Sequence, residues 1–283
     1  MKRILIPTDF SPNAMKAVIY AAEIAKKNGA QIFLLHVIEP RAVTIGEIDI
    51  PLYSRYVEEL GNPGLKELET ISETIAQFYP GIQIEKKVIE GGIVISIDTY
   101  ASENKIDLIV MGTRGVSGLK EMLIGSVAAR TIQAVHVPVL AIPDEYIVAD
   151  PDKILFATNH FERNTSLLNG IIDIATLFSM SITVCVFIDQ DDAEPNDYIN
   201  DTSQLETYLS FLKKTFPSVC FEGQLLAGIE LEDTIAKYVE EKGVDMITMI
   251  TYPKSFWERL MNKSVTKRMA FHSKIPLLTI PVS

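Results

Sequence analysis

Two hydrophobic periods alternate along this chain. Short apolar runs predict buried strands at Arg3 to Pro7, Gln31 to Ile38, Lys87 to Glu90, Asp107 to Met111 and Pro138 to Ile142. Between them, apolar residues fall three and four apart, the helical spacing. Ala14, Ala17, Val18, Ala21 and Ala25 share one face of a helix that Ser11 and Pro12 open and Lys26-Lys27-Asn28-Gly29 closes. After a longer loop, Leu65, Leu68, Ile71, Ile75 and Phe78 mark a second helix. Ile95 to Asn104 reads as a third. Val127 to Val135 reads as a fourth, with Val127, Ala128, Thr131, Ile132 and Val135 inward. Strand and helix in alternation predict a parallel sheet with right-handed crossovers and helices on both faces.

The pattern then starts again. Lys2-Arg3-Ile4-Leu5-Ile6-Pro7-Thr8-Asp9-Phe10 returns 150 residues later as Asp152-Lys153-Ile154-Leu155-Phe156-Ala157-Thr158-Asn159-His160. Ile32 to Ile38 faces Ile182 to Ile188 at the same offset. Further on the offset falls to 138, where Ile106 to Met111 matches Val244 to Met249 and His136 to Pro143 matches Lys274 to Pro281. The second copy is thus 12 residues shorter in its middle. Its first helix carries Leu167, Leu168, Ile171, Ile172, Ala175 and Phe178. The seam lies near Tyr146 to Asp152, giving expected domains 1–146 and 147–283, each α/β.

Composition supports this reading and narrows the function. The 283 residues suit about two domains, and 47% hydrophobic with 22% charged residues is ordinary for a folded globular chain. No apolar run approaches the ~18 residues of a membrane span. Met1 to Pro7 is too short an apolar run for a signal peptide, so the expected location is cytoplasmic. The net charge of −11 is shared almost evenly between the copies, which argues against broad binding to nucleic acid or anionic membrane. A local anion site remains open to backbone amides. Cys185 and Cys220 form no CxxC pair and suggest no disulfide framework.

The segment that carries chemistry is Met111-Gly112-Thr113-Arg114-Gly115, followed after Val116 to Ile124 by Gly125-Ser126-Val127, in the pattern G-x2-G-x9-G-S. Gly112 falls at the end of the fourth strand, where a missing Cβ lets a ligand approach the backbone. Gly115 permits a turn. Gly125-Ser126 opens the last helix, whose free N–H groups and positive dipole end suit phosphate oxygens, with the Ser126 hydroxyl as a further donor. The alternative is a set of turn and helix-start glycines without a ligand. Neither a Walker loop nor the dinucleotide fingerprint is present, because Pro7-Thr8-Asp9-Phe10-Ser11-Pro12 follows the first strand without a glycine.

These residues resemble the tandem, two-domain, ATP-binding branch of the universal stress protein family: the opening strand with Pro-Thr-Asp, the glycine loop, and the closing His-Val-Pro-Val-Leu strand. The resemblance implies two Rossmann-like, adenine-nucleotide-hydrolase-type sheets of strand order 3-2-1-4-5. It implies ATP, with Mg2+ or Mn2+, in the first copy. Val37 would be the backbone partner of adenine, and Asp9, beside Pro7 and Thr8, would hold the ribose hydroxyls. Gly112, Arg114, Gly115, Gly125, Ser126 and Val127 would surround the phosphates, and Met111 would belong to the same nucleotide site. Asp9 also reads as a first-turn carboxylate at a helix dipole, and Arg114 as a solvated loop residue.

The second copy departs at each of these points. Asn159 replaces Asp9, Phe187 replaces Val37, and Ile250, Pro253 and Lys263 replace the three glycines; Ser264-Val265 survives. It is expected to bind no ATP and to serve as a packing or regulatory partner. His36 and His136 read as core or edge histidines, and His160 and His272 have no partners at zinc spacing. Asp189, Asp191, Asp192, Glu194 and Asp197 read as a solvated loop, and Trp257, Leu260 and Met261 as packing residues. Three functions stay open: a nucleotide-binding regulator, a slow ATPase, and an interaction module with a vestigial site. No general base or arginine finger stands out, which favours binding over turnover. The closing strands, ending in Pro143 and Pro281, resemble those that pair across family interfaces, either between the two copies of one chain or in a homodimer.

Overall fold

The computed structural model describes residues 1–39, 50–113, 126–147, 150–252 and 274–282. They fall into two compact units that part between Asp144 and Glu145. The first runs β1 (Arg3–Pro7), α1 (Pro12–Asn28), β2 (Gln31–Ile38), α2 (Ile50–Phe78), β3 (Ile84–Glu90), α3 (Ile93–Glu103), β4 (Leu108–Gly112), α4 (Ser126–Ala134) and β5 (Val139–Ile142). The second runs β6 (Lys153–Ala157), α5 (Thr165–Phe178), β7 (Ser181–Asp189), α6 (Pro195–Thr215), β8 (Phe221–Gly228), α7 (Leu231–Lys242), β9 (Met246–Thr251) and β10 (Leu277–Pro281).

Both units are parallel α/β sheets of the same topology. The order is β3-β2-β1-β4-β5 in the first and β8-β7-β6-β9-β10 in the second, the expected 3-2-1-4-5 in each. Register confirms both repeat offsets: Ile4 pairs with Leu108 as Ile154 pairs with Met246. Ile4, Leu5, Ile32, Phe33, Leu34, Ile109 and Leu140 are fully buried in the first unit, and Ile154, Val184 and Tyr208 in the second. Each such aliphatic side chain contributes about 1.5–3 kcal/mol on leaving water. α1 packs on β1 and β4, α2 on β2 and β3.

Ser11 caps α1, its Oγ accepting the Ala14 N–H at 3.1 Å, and Gly29 ends it at φ 66°. Two elements differ from expectation. β3 starts at Ile84, because Glu85 and Lys87 point out of a half-buried strand and, with Lys86 on its other face, break the apolar run. α2 begins at Ile50 and continues through Pro63, taking up part of the longer loop expected before Leu65. Its buried face is Gly64, Leu68, Ile71 and Ile75, while Leu65 and Phe78 lie at the stripe's margins and are exposed. In α5, Ile174 joins Leu168, Ile171 and Ala175 in the core, and Leu167, Ile172 and Phe178 are only half-buried.

The acidic loop after β7 caps its own backbone: Asp189 Oδ1 accepts the Asp191 N–H at 3.1 Å, and Asp197 Oδ2 accepts the Glu194 N–H at 2.8 Å, tying the start of α6. Among the described residues, no helix is long and apolar enough to cross a membrane.

Candidate functional site

In the order 3-2-1-4-5 the chain leaves β1 in one direction and β4 in the other, so a crevice opens between their carboxyl ends. At the end of β1 the chain turns through a run of side-chain-to-backbone bonds. Thr8 N–H adds one rung to Leu35 O at 2.9 Å. Thr8 Oγ1 then accepts the Phe10 N–H at 3.0 Å, and Asp9 Oδ1 accepts the Ser11 N–H at 3.1 Å. Short polar side chains favour such turns because they satisfy N–H groups before a helix begins. The turn puts Phe10 at φ 64°, a left-handed conformation that costs a bulky side chain about 1–2 kcal/mol.

His36 holds the turn in place. Its Nδ1 lies 2.9 Å from Thr8 O, and a carbonyl only accepts, so Nδ1 carries the proton. The His36 and Phe10 rings stand 4.4 Å apart. On its other side, a Cβ at Gly64 of α2 would come within 2.9 Å of the His36 ring.

Val37 follows on β2, and the ladder fixes which way its peptide groups face. Ile32 N–H donates to Gln83 O and Gly91 N–H to Ile38 O, so the even-numbered residues of β2 bond toward β3. Leu35 O accepts from Thr8, so the odd-numbered ones face β1. Val37 N–H and C=O therefore face the lane that β1 vacates after its last rung.

At the end of β4, the space a Cβ would take at Gly112 is already claimed. Asn13 Oδ1 would lie 2.5 Å from it. Asn13 is buried in the first turn of α1, and its Nδ2 donates to Ile142 O at 3.1 Å. Asn13, missed from sequence, is a buried polar residue on an apolar helix face. Met111 and Thr8 are buried, and the Thr8 peptide is already engaged, its N–H by Leu35 O and its carbonyl by His36 Nδ1. α4 begins at Ser126, with Val127 half-buried beside it. The structure thus brings Pro7, Thr8, Asp9, Val37, Met111, Gly112, Ser126 and Val127 to the carboxyl edge of one sheet. Arg114, Gly115 and Gly125 lie outside the described residues, as do Pro253, Trp257, Leu260, Met261, Lys263, Ser264, Val265 and His272.

The second unit fills the same edge with its own side chains. Thr158 N–H donates to Cys185 O at 2.9 Å, as Thr8 does to Leu35. Beyond it, Asn159 Nδ2 donates to Phe187 O at 3.2 Å and Phe187 N–H donates to Asn159 Oδ1 at 3.3 Å. Buried Ile250 stands where the first unit has Gly112. Tyr252, at the place of Arg114, packs its ring 4.4 Å from that of His160 and donates to Glu162 Oε2 at 2.9 Å. Among the described residues, no cluster of three or more His, Cys, Asp or Glu side chains is placed to hold a metal ion.

The fold and this edge define a doubled, doubly wound α/β protein of Rossmann-like class, with one polar crevice and one occupied counterpart. The chain belongs to the universal stress protein family, which it matches over residues 1–143 and again over 151–281. It is 36% identical over 143 residues to universal stress protein MJ0531 of Methanocaldococcus jannaschii, a match covering 50% of this chain and 81% of that protein. It is 24% identical to universal stress protein Slr1230 of Synechocystis over 99% of both chains. Among solved structures, a universal stress protein from Archaeoglobus fulgidus shares the fold with a TM-score of 0.71 over 99% of this chain and 98% of its own, at 20% identity.

Proposed function

We propose that this chain is a nucleotide-dependent regulatory protein that holds ATP in its first unit alone. The observation that carries this reading is the convergence, at one switch point, of three chemically different ends. The Val37 peptide offers a donor and an acceptor side by side, which suits the edge of a base. Asp9 is a carboxylate, a pure acceptor with two oxygens, which suits vicinal ribose hydroxyls. The start of α4 at Ser126 offers amides with no partner inside the helix and a positive dipole end, which suits phosphate without net positive charge. A divalent cation would then be held by the phosphates. In the second unit, Asn159, Ile250 and Tyr252 stand in the corresponding places, so that unit is assigned a structural or regulatory part. Binding rather than turnover is proposed, because no side chain described at this edge is placed as a base for an attacking water.

The test is mass spectrometry of the small molecules released when the purified protein is denatured. An adenine nucleotide is expected from the wild type, and none from a variant carrying Asp9→Ala and Gly125→Lys. A wild-type chain that releases none, and takes up none when ATP is supplied at millimolar concentration, would overturn the proposal.

A further inference from the structure

The two units meet the same backbone problem with different side chains. In each, the first strand ends before the second, so that one peptide of the second strand faces the lane the first has left: Val37 in one unit, Phe187 in the other. At Phe187 the lane is bridged, because Asn159 both donates to its carbonyl and accepts from its N–H, at 3.2 and 3.3 Å. A carboxamide carries an acceptor beside a donor, as does the N1 and amino edge of an adenine base, and one peptide satisfies both. Asp9 occupies the corresponding position one unit earlier, and a carboxylate has no proton to give the Val37 carbonyl. It turns instead to the Ser11 N–H.

We propose that Asn159 is a built-in substitute for a base: its carboxamide closes the Phe187 peptide to adenine-type ligands. The choice of Asp or Asn at this one position then decides whether a unit admits them. Asn159 is exposed and Phe187 half-buried, so removing the carboxamide uncovers the peptide rather than a sealed core. The inference rests on the reading of the first unit as a nucleotide site, and it deepens that reading by naming the group that sets selectivity between the units.

The experiment is calorimetric titration of the full chain with ATP, comparing Asp9→Ala with Asp9→Asn. If position 9 matters only for ribose, Asn is the milder change, since its carboxamide still hydrogen-bonds hydroxyls. If a carboxamide there closes the Val37 peptide, the order reverses, and Asp9→Asn binds about tenfold more weakly than Asp9→Ala, the equivalent of one or two hydrogen bonds. Equal affinities, or a tighter Asp9→Asn, would overturn the proposal. A wild-type chain that binds no ATP would fail the nucleotide reading instead. The second unit then decides by itself, through the Phe187 amide resonance followed as adenosine is added to millimolar concentration. That resonance is expected to shift in Asn159→Ala and to stay fixed in the wild type. An unmoved resonance in a folded Asn159→Ala would also overturn it.

Discussion

A Cβ at Gly112 would stand 2.5 Å from Asn13 Oδ1 and 3.1 Å from the Asn13 carbonyl carbon, so Gly112→Ala must shift the first turn of α1 or the end of β4. The expected cost is about 1–3 kcal/mol of stability, measured by urea unfolding without nucleotide. Asn13→Ala removes one of two donors to the Ile142 carbonyl, which keeps the Thr113 N–H, and costs about 0.5–1.5 kcal/mol itself. If the contact limits position 112, the double variant loses less than the two singles together, by at least about 0.5 kcal/mol. Strict additivity would show that the two residues do not constrain each other. The cysteines give a second prediction at this scale. Burial pushes the Cys185 thiol up to about 12, whereas Cys220 is exposed. Because the thiolate is the nucleophile, alkylation at pH 8 should modify Cys220 alone in the folded chain and reach Cys185 only on unfolding. Mass spectrometry of the alkylated peptides checks this.

Between elements, Glu162 ties the loop after β6 to three others. Asn164 N–H donates to its Oε1 at 2.6 Å at the start of α5, Tyr252 Oη to its Oε2 from the end of β9, and Tyr208 Oη to its carbonyl from α6 at 2.6 Å. The Asn164 N–H holds the carboxyl below its ordinary value, outweighing partial burial, and the Tyr252 hydroxyl adds to the effect. A carboxylate lowered in the folded state stabilises it above the pH at which the unfolded carboxyl ionises, and that contribution is lost as pH falls through the folded value. Wild type should therefore exceed Glu162→Gln in Tm at neutral pH, with the gap shrinking in acid; a gap unchanged down to about pH 3 would refute the linkage. This knot also shows where sequence reading stops. Strand and helix periods were legible because burial repeats every two or 3.6 residues, and the glycine loop and the altered second copy were legible as residue types at fixed offsets. Tyr252 meeting Glu162, or Asn13 pressed on Gly112, follows no period, since each joins residues distant in sequence. α2 hid for a related reason: the prolines and glycines that usually end a helix are tolerated at Gly61 to Gly64, and Gly64 makes room for the His36 ring.

At the scale of the whole chain, a doubled fold with one ligand should respond asymmetrically. A ligand that binds only the folded first unit adds RT ln(1 + [L]/Kd), about 2.7 kcal/mol at a hundredfold excess over Kd, to the free energy of opening that unit. Amides that exchange only through such opening should slow about a hundredfold. Hydrogen exchange read by mass spectrometry with saturating ATP should show this slowing in peptides from Met1 to Asp144. Peptides from Glu145 to Ser283 should gain nothing unless the two units open together, and the double variant Asp9→Ala with Gly125→Lys separates the cases. If the units are coupled but only the first binds, the double substitution abolishes the slowing in both. If the second unit has its own nucleotide, its peptides stay protected in the double variant, and the assignment of ATP to the first unit alone fails. The same data locate the effect, because the β1 end, β2 near Val37 and the start of α4 come from three separate stretches of sequence. Slowing confined to those three stretches marks one ligand that touches all of them, whereas slowing shared by the whole unit reports its opening as one body.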